Sequence, residues 1–247
     1  MPNTQRNQPP KLVSLIEKLI ATPSVSSVNP QWDQSNQGVI EQLALWLKDL
    51  GFSIETFEVP GYPEKYNLVA TAGKGPDGLV LSGHTDTVPF DEGRWSQSPF
   101  ALTEKDQRLY GLGSCDMKAF FAFIIEAVRE IDLAKLKKPL IIVATADEES
   151  SMCGAKALQT KYQRLGKYTI IGEPTDLKPI RMHKGILMEA IRLTGQSGHS
   201  SNPALGNNAL EGMHAAMDEI LKWRSELQKR HQNPAFEIYV QIGRASC

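Results

Sequence analysis

Apolar residues in the first half of the chain recur at helical spacing in three segments. The segment 11–20 has them at 12, 15, 16, 19 and 20, which is one face of an amphipathic helix. The segment 37–51 repeats this spacing and stops at Gly51, a residue suited to the position after a helix C-terminus. The segment 117–131 is apolar nearly all round, which predicts a well-buried helix.

Short runs with the pattern of strands lie between and after these helices. Residues 52–59 alternate as in a half-exposed strand, and two more strands joined by a turn are predicted over 66–73 and 79–84. The runs 139–146 and 168–173 are continuously apolar, which is typical of strands covered on both faces. Strands that alternate with helices predict an α/β domain built on a mixed or largely parallel sheet.

The pattern changes near residue 184. Residues 186–193 alternate like a strand of an open-faced sheet, 207–229 have the spacing of an amphipathic helix, and 236–240 have the composition of another strand. We therefore predict a larger domain over 1–183 and part of a second, smaller α+β domain over 184–241. This second part ends before such a unit could close its sheet.

Composition narrows the function classes. The chain has 247 residues, is 41% hydrophobic and carries a net charge of −1, so no basic excess points to nucleic acid or to an anionic membrane surface. No apolar run is long enough to span a bilayer, and the polar, proline-rich start does not resemble a signal peptide. Three cysteines form neither a disulfide framework nor a CxxC pair. These features predict a reduced, cytoplasmic protein.

Side chains able to bind metal stand at the ends of the predicted buried strands and just before the buried helix. In open α/β sheets, ligands bind beyond the carboxyl ends of the strands, so we expect these side chains to meet at one rim. One imidazole with several carboxylates suits zinc, cobalt or manganese. There are too many carboxylates for one closed structural zinc, which favours two ions sharing a bridging carboxylate. The side chains expected to meet are His84, Asp116, Glu148 or Glu149, and Glu173, and Asp147 stands at the same strand end as the two glutamates.

Each candidate also has a simpler interpretation. Asp116 could be the N-cap of the helix that follows it, and a histidine at a strand end is often only a satisfied polar residue. Glu148 and Glu149 could be solvated loop charges. The recurrence of acids at several buried strand ends nevertheless favours a metal site, because each uncompensated buried acid would cost several kcal/mol.

Two further roles follow from spacing. Asp86 lies two residues after His84, on the same side of an extended chain, so its carboxylate can orient the imidazole of a metal-bound histidine. Glu148 and Glu149 are adjacent, and their side chains diverge in an extended chain. One of them can therefore bind metal while the other faces the bound water and accepts its proton. Such an arrangement hydrolyses amides or esters.

Longer stretches strengthen this interpretation. Together they resemble the aminoacylase/carboxypeptidase-like family of co-catalytic zinc metallopeptidases, over about residues 11 to 240. The resemblance implies a zinc-peptidase-like catalytic domain and a smaller ferredoxin-like domain that acts as lid or dimerisation domain, both incomplete here. The stretches are "SGHTDTVPFDEGRW", "LTEKDQRLYGLGSCDMKAFFAF", "ATADEESSMCGA", "IIGEPTDLKPIRMHKG" and "GQSGHSSNPALGNNALEGMH".

The resemblance also implies metal ligands. His84 and Glu173 look like ligands of a first ion, Asp116 like the carboxylate that bridges two ions, and Glu149 like a ligand of the second. The implied cofactor is two divalent ions, zinc in the first place with cobalt as an alternative.

Three catalytic residues are implied in the same way. Asp86 matches the acid that orients the first histidine, and Glu148 matches the general base. His199 resembles the histidine that the small domain of a partner subunit presents to the scissile carbonyl, which implies a homodimer.

The implied reaction is metal-dependent hydrolysis of a small N-acyl amino acid. The first expected substrate is N2-acetyl-L-ornithine, cleaved to L-ornithine and acetate in arginine biosynthesis. Succinyl-diaminopimelate, other N-acyl amino acids and dipeptides are the alternatives within the family, and the stretch 88–95 favours deacetylation over desuccinylation. An inactive metal-binding fragment is the alternative outside the enzymes.

The resemblance stops at the end of the chain. Members of the family continue further and supply one more histidine to the second metal, and the last residues, 242–247, depart from the family and are interpreted as a non-native tail. On this basis we expect a C-terminally truncated protein. Expressed alone, it should bind no more than a single tight zinc ion and should not be active.

Overall fold

The computed structural model describes residues 8–91, 93–185 and 189–234. The chain separates into two compact units, Met1–Lys178 and Pro179–Cys247. This boundary is close to the one predicted from the sequence, although the roles given to 1–183 and 184–241 stay predictions. No helix among the described residues is long and apolar enough to cross a membrane.

The first unit contains a five-stranded mixed sheet and a separate β-hairpin, with helices between the strands. A short 3-10 turn, Leu133–Lys135, precedes the sixth strand. The helices are α1 Leu12–Ile20, α2 Gln37–Leu50, α3 Ala119–Arg129 and α4 Cys153–Lys161. The strands are β1 Ser53–Glu58, β2 Tyr66–Ala72, β3 Leu79–His84, β4 Thr103–Lys105, β5 Arg108–Tyr110, β6 Leu140–Thr145 and β7 Tyr168–Ile171.

The order of the strands decides where the chemistry lies. The sheet runs β1-β2-β6-β3-β7, so β6 separates β2 from β3, which follow one another in the chain. β3 is parallel to both β6 and β7, whereas β2 pairs antiparallel with β1 on one side and with β6 on the other. His84 lies opposite Thr145 in the parallel register, so the segments after β3, β6 and β7 leave the sheet at one edge. The predicted α/β fold with a mixed sheet is confirmed.

The apolar core lies on both faces of this sheet. One face carries the larger core, where α1, α2 and α3 pack on alternate residues of β2 and β6, such as Leu68 and Ile142. The intervening residues, such as Val69 and Val143, face a smaller cluster with Leu158 of α4. Because successive strand residues point to opposite faces, the continuous apolar run of β6 supplies both cores, as its pattern predicts.

The prediction that 168–173 is covered on both faces is wrong. Tyr168, Ile170 and Ile171 are 64%, 52% and 61% exposed. β7 is the last strand of the described sheet and bonds only to β3 within it. A continuous apolar run indicates a tendency to be buried, but burial also requires neighbours, and no described residue covers this strand enough to bury it.

The described part of the second unit contains a long helix, α5 Ala209–Arg230, which confirms the helix predicted over 207–229. Its first turn is capped by the side chain of Asn208, which accepts a hydrogen bond from the backbone N–H of Leu210 at 2.9 Å. A short 3-10 turn, Pro203–Leu205, precedes it.

The strand predicted over 186–193 is wrong for the residues of that range that the structure describes. Residues 189–193 form no strand, while 186–188 and the strand predicted over 236–240 lie outside the described residues. An alternating pattern forms a strand only when a second strand supplies hydrogen bonds. The described part of this unit offers a single isolated bridge, between Gln196 and Asn207.

The first prediction concerns Gly154, at the start of α4. A Cβ atom there would lie 2.6 Å from the backbone N and O of Ala146 and from Oδ1 of Asn67. Gly154→Ala should therefore lower the free energy of unfolding by about 1–3 kcal/mol, the cost of overpacking a rigid site. Urea unfolding followed by circular dichroism measures the change.

The matched control is Gly212→Ala, within α5. Its Cβ would meet only the side chain of Leu193, at an ordinary 3.6 Å. This variant should stabilise its helix by up to about 1 kcal/mol, because alanine is the better helix former. Equal effects of the two substitutions would contradict the close packing of α4 on the end of β6.

Candidate metal centre

The centre is built around His84, the last residue of β3. The side chain is buried, and its Nε2 lies 3.0 Å from Oδ1 of Asp116 and 3.7 Å from Oε1 of Glu173. Single ligand atoms of these three residues all lie within 4.8 Å of one another, and the same holds for His84, Glu148 and Glu149. The structure therefore brings the five predicted metal-site and base residues together at one edge of the sheet.

Asp116 reaches His84 because α3 begins very close to the end of β3. A Cβ atom on Gly83 would lie 2.7 Å from the Cε atom of Met117, the residue after Asp116, so the two segments are in close contact there. The N-cap residue of α3 is Lys118, and Asp116 bonds to the imidazole instead of capping the helix. The simpler interpretation of Asp116 as an N-cap is therefore not supported.

Asp86 contacts both halves of the centre. Nδ1 of His84 donates to the backbone carbonyl of Asp86 at 3.0 Å and lies 3.5 Å from its Oδ1. The same carboxylate accepts hydrogen bonds from the backbone N–H groups of Glu148, at 3.2 Å, and Glu149, at 3.0 Å. These contacts leave Nε2 facing the other carboxylates. The orienting role predicted for Asp86 fits this geometry. The structure adds a second role, because the carboxylate of Asp86 also holds the turn that carries Glu148 and Glu149, called the glutamate turn.

Carboxylates determine the charge state of the imidazole. Burial alone would lower the pKa of His84, but the hydrogen bonds to Asp116 and Asp86, with the charges of Asp86 and Glu173, raise the pKa to about 11. The pKa of Asp86 is lowered because His84 and the two backbone N–H groups outweigh the effect of its burial. A cation bound at Nε2 would take the place of the imidazolium proton.

Carboxylates at this edge outnumber the positive charge near them. Burial, followed by the charge of Asp116, raises the pKa of Glu149 to about 7. Burial also raises the pKa of Glu148 and of Glu173, and the neighbouring acids add to both shifts. A divalent cation would relieve this repulsion, and an imidazole with several carboxylates is a donor set that zinc accepts. The residues therefore fit the metal that the sequence predicts.

Asp147 is not part of this cluster. Its carboxylate points away and forms a 2.8 Å ion pair with the buried ammonium group of Lys65. It therefore does not join the two glutamates that follow it, although it stands at the same strand end. The reason is local backbone conformation: Asp147 has a φ of 54°, in the left-handed region, which separates its direction from that of the glutamates that follow.

Sequence reasoning missed a buried cation beneath the centre. The ammonium group of Lys118 donates to the backbone carbonyl of Thr22 at 2.9 Å and to Oγ of Ser24 at 3.3 Å. Burial lowers the pKa of Lys118 to about 8, against the opposing effect of the negative charge of Asp86. A lysine at the start of an otherwise apolar helix, two residues after the candidate ligand Asp116, is the signal that could have revealed it.

His199 lies in the second unit of the chain. It is exposed, and its Nδ1 accepts a hydrogen bond from the backbone N–H of Ser201 at 3.2 Å. Nδ1 also lies 2.7 Å from Oγ of Ser201, so the contacts with Ser201 are made by Nδ1 and not by Nε2. Its role toward a substrate carbonyl stays a prediction.

The family profile described as Peptidase family M20/M25/M40 matches residues 80–238, the range that holds all the site residues named above. The chain belongs to peptidase family M20/M25/M40. The family predicted from the sequence is thereby confirmed, and divalent metal binding by these residues agrees with membership of a metallopeptidase family.

Two curated relatives in the family are called acetylornithine deacetylase. The one from Edwardsiella ictaluri is 57% identical over 94% of this chain, and the one from Proteus mirabilis is 56% identical over 93%. The chain spans 60% and 59% of their respective lengths. Its fold is similar to the crystal structure of a tripeptidase from Staphylococcus aureus, with a TM-score of 0.54 and 18% identity over 84% of this chain and 55% of the tripeptidase.

The second prediction concerns the pH dependence of the stability of the metal-free protein. Between pH 5 and 8 its free energy of unfolding should decrease as the pH rises. Glu149 has a pKa of about 7 against a usual 4.5, and His84 of about 11 against 6.5, so the folded chain binds more protons than the unfolded chain across this range. Urea unfolding of chelator-treated protein at several pH values measures the trend.

Two controls belong to this experiment. Glu149→Gln should flatten the part of the curve between pH 4.5 and 7, because it removes one of the titrating groups. Added zinc should stabilise the protein more at pH 8 than at pH 6, since metal must displace protons from its ligands. A metal-free protein that becomes more stable over this range would contradict the crowding of carboxylates.

The third prediction compares His84 and Asp86. Asp86→Ala should weaken zinc binding by about 10–100-fold, because His84 and the glutamate turn lose their support. His84→Ala should weaken it further, since it removes a ligand. Competition with a chelating dye gives both affinities, and equal or reversed losses would refute the division of roles.

Proposed function

We propose that the complete protein carrying this sequence is a zinc-dependent amidohydrolase that converts N2-acetyl-L-ornithine to L-ornithine and acetate in the cytoplasm, as a step of arginine biosynthesis. The observation that carries the proposal is the position of Glu148, half-buried beside the His84 cluster, with a raised pKa and a backbone held by Asp86. The names of the two curated relatives support the choice of substrate.

The described residues divide into ligands and a base. We assign His84, Asp116 and Glu173, whose ligand atoms lie close together, to one ion. The resemblance to the family assigns Asp116 and Glu149 to a second ion, with zinc in the first place and cobalt as the alternative. A divalent ion bound there would supply a water whose pKa is lowered toward about 7. The raised pKa of Glu148 suits a carboxylate that accepts a proton from that water and returns it to the leaving nitrogen.

His199 is proposed to complete the site from a partner subunit. Its Nε2–H can donate to the carbonyl oxygen of the scissile amide, where negative charge develops during attack. The complete enzyme is therefore expected to be a homodimer acting on a small N-acyl amino acid.

Competing functions share the chemistry and differ in the acyl group. Succinyl-diaminopimelate and other N-acyl amino acids or dipeptides would use the same ligands and base. Relative kcat/KM values for acetylornithine and succinyl-diaminopimelate, measured with added zinc or cobalt, decide between them. A higher value for the succinyl substrate would overturn the choice of acetylornithine.

The fourth prediction tests the base. Glu148→Gln in the complete protein should retain its bound zinc and lose about a hundredfold or more in kcat, the usual scale for a general base. Metal analysis and acetylornithine hydrolysis measure the two effects separately.

Glu149→Gln is the matched control for this experiment. It makes the same chemical change at the next residue, and it should lower zinc content as well as turnover. Normal turnover by Glu148→Gln would show that Glu148 is not the base. Bound zinc with no hydrolysis of any N-acyl amino acid by the wild type would favour a metal-binding protein without activity.

A further inference from the structure

Three charged side chains meet on the side of the glutamate turn that faces away from His84. The ammonium group of Lys65 lies 2.8 Å from Oδ1 of Asp33 and 2.8 Å from Oδ1 of Asp147. It also donates to the backbone carbonyl of Gln34 at 2.8 Å. Lys65 is only 5% exposed, so the whole length of the side chain is enclosed. Asp33, Lys65 and Asp147 are called the charge triad below.

Asp147 occupies an unusual backbone conformation. Its φ of 54° is rare for a residue with a side chain and persists only where the surroundings enforce it. The backbone carbonyl of Asp147 accepts from the N–H of Met152 at 2.6 Å, and its Oδ2 accepts from the hydroxyl of Ser151 at 3.3 Å. The ion pair with Lys65 supplies the third contact, from outside the turn.

This conformation sets the direction of the next two residues. The backbone N–H groups of Glu148 and Glu149 both point at the carboxylate of Asp86, and their own carboxylates reach His84. The turn is therefore held from two sides, by Asp86 within the centre and by Lys65 behind it. Only Asp86 belongs to the site as described so far.

The support behind Lys65 is itself fixed. Asp33 accepts a hydrogen bond from the backbone N–H of Ser27 at 3.0 Å, and Ser26 contacts Ser150 through their hydroxyl oxygens. The segment that contains Ser26 is bonded to Thr87, just past Asp86. The charge triad thus connects the loop before α2 with the turn after β6.

The charge balance agrees with a clamping role. Burial would lower the pKa of Lys65, but its close contacts with Asp147 and Asp33 and their negative charges outweigh burial and raise the pKa, so the side chain stays an ammonium ion. Removing one partner of a buried ion pair leaves an uncompensated charge, which disturbs the structure more than loss of an exposed pair.

We propose that Lys65 is a positioning residue for the hydrolysis, which clamps Asp33 and Asp147 and so fixes the turn that presents Glu148 and Glu149 to His84. This inference rests on the proposed function for its effect on turnover. Its effect on metal binding, through Glu149, is independent of any activity.

The fifth prediction is a double-mutant cycle in the complete protein. Lys65→Met should weaken zinc binding by about tenfold, the lower end of the range for loss of a supporting contact. In a Glu149→Gln background the same substitution should change zinc affinity by less than about twofold, because the side chain that the triad positions no longer binds. A merely structural lysine would give equal losses in both backgrounds.

Turnover gives a second cycle. Lys65→Met should lower kcat by about tenfold with little change in KM, because the base is displaced while substrate contacts remain. With Glu148→Gln present, kcat should fall no further. Lys161→Met is the matched control, because Lys161 forms an exposed ion pair with Glu55, and it should leave zinc affinity and kcat unchanged.

Asp147→Asn covers the case in which Lys65→Met does not fold. It preserves the shape of the side chain and leaves Lys65 paired with Asp33, so it should fold and show the same couplings with smaller losses. Unchanged zinc affinity in a folded variant, or additive losses in the zinc cycle, would overturn the proposal. A wild type that binds zinc but hydrolyses no N-acyl amino acid would overturn the proposed function alone, since the zinc cycle needs no activity.

Discussion

The centre depends on the contact between His84 and Asp86 at the end of β3. Both side chains are buried, at 2% and 1% exposed. The imidazole donates to the backbone of Asp86, and the carboxylate of Asp86 accepts from the backbone of Glu148 and Glu149. One carboxylate therefore fixes the histidine and the turn after β6, and the parallel pairing of β3 with β6 makes this contact possible.

Charge imbalance gives this arrangement its chemistry. The imidazole of His84 faces Asp86, Asp116 and Glu173 directly, and two more glutamates lie close by. The pKa values of His84 and Glu149 are raised. The metal-free cluster therefore holds protons at pH values where such groups normally lose them. The same repulsion that destabilises the empty cluster favours a divalent cation within it.

The surroundings of the centre carry two buried lysines with different tasks. Lys118 lies at the start of α3 and holds the segment after α1 to that helix. Lys65 lies behind the turn after β6 and pairs with two carboxylates. Buried charges are costly, so each must be matched by nearby acceptors or acids, and these partners come from segments distant in the sequence. The acidic centre is thus surrounded by a framework that is itself held together by charge.

The sequence by itself determined most of the elements and the set of candidate ligands. Helical and strand spacing predicted α1, α2, α3, α5 and the strands of the sheet, because side-chain periodicity follows from backbone geometry. The position of His84, Asp116, Glu148, Glu149 and Glu173 at strand ends or before a buried helix predicted that they would meet. Asp86 could be paired with His84 because two residues of an extended chain share a side.

Only the tertiary structure decided the remaining features, because they depend on contacts between distant segments. The insertion of β6 between β2 and β3, and the exposure of β7, follow from strand order, which periodicity does not encode. Asp147 has a left-handed backbone conformation, and its carboxylate pairs with Lys65, across a long separation in sequence. An alternating run at 189–193 forms no strand, since strand formation requires a hydrogen-bonding partner that spacing cannot supply.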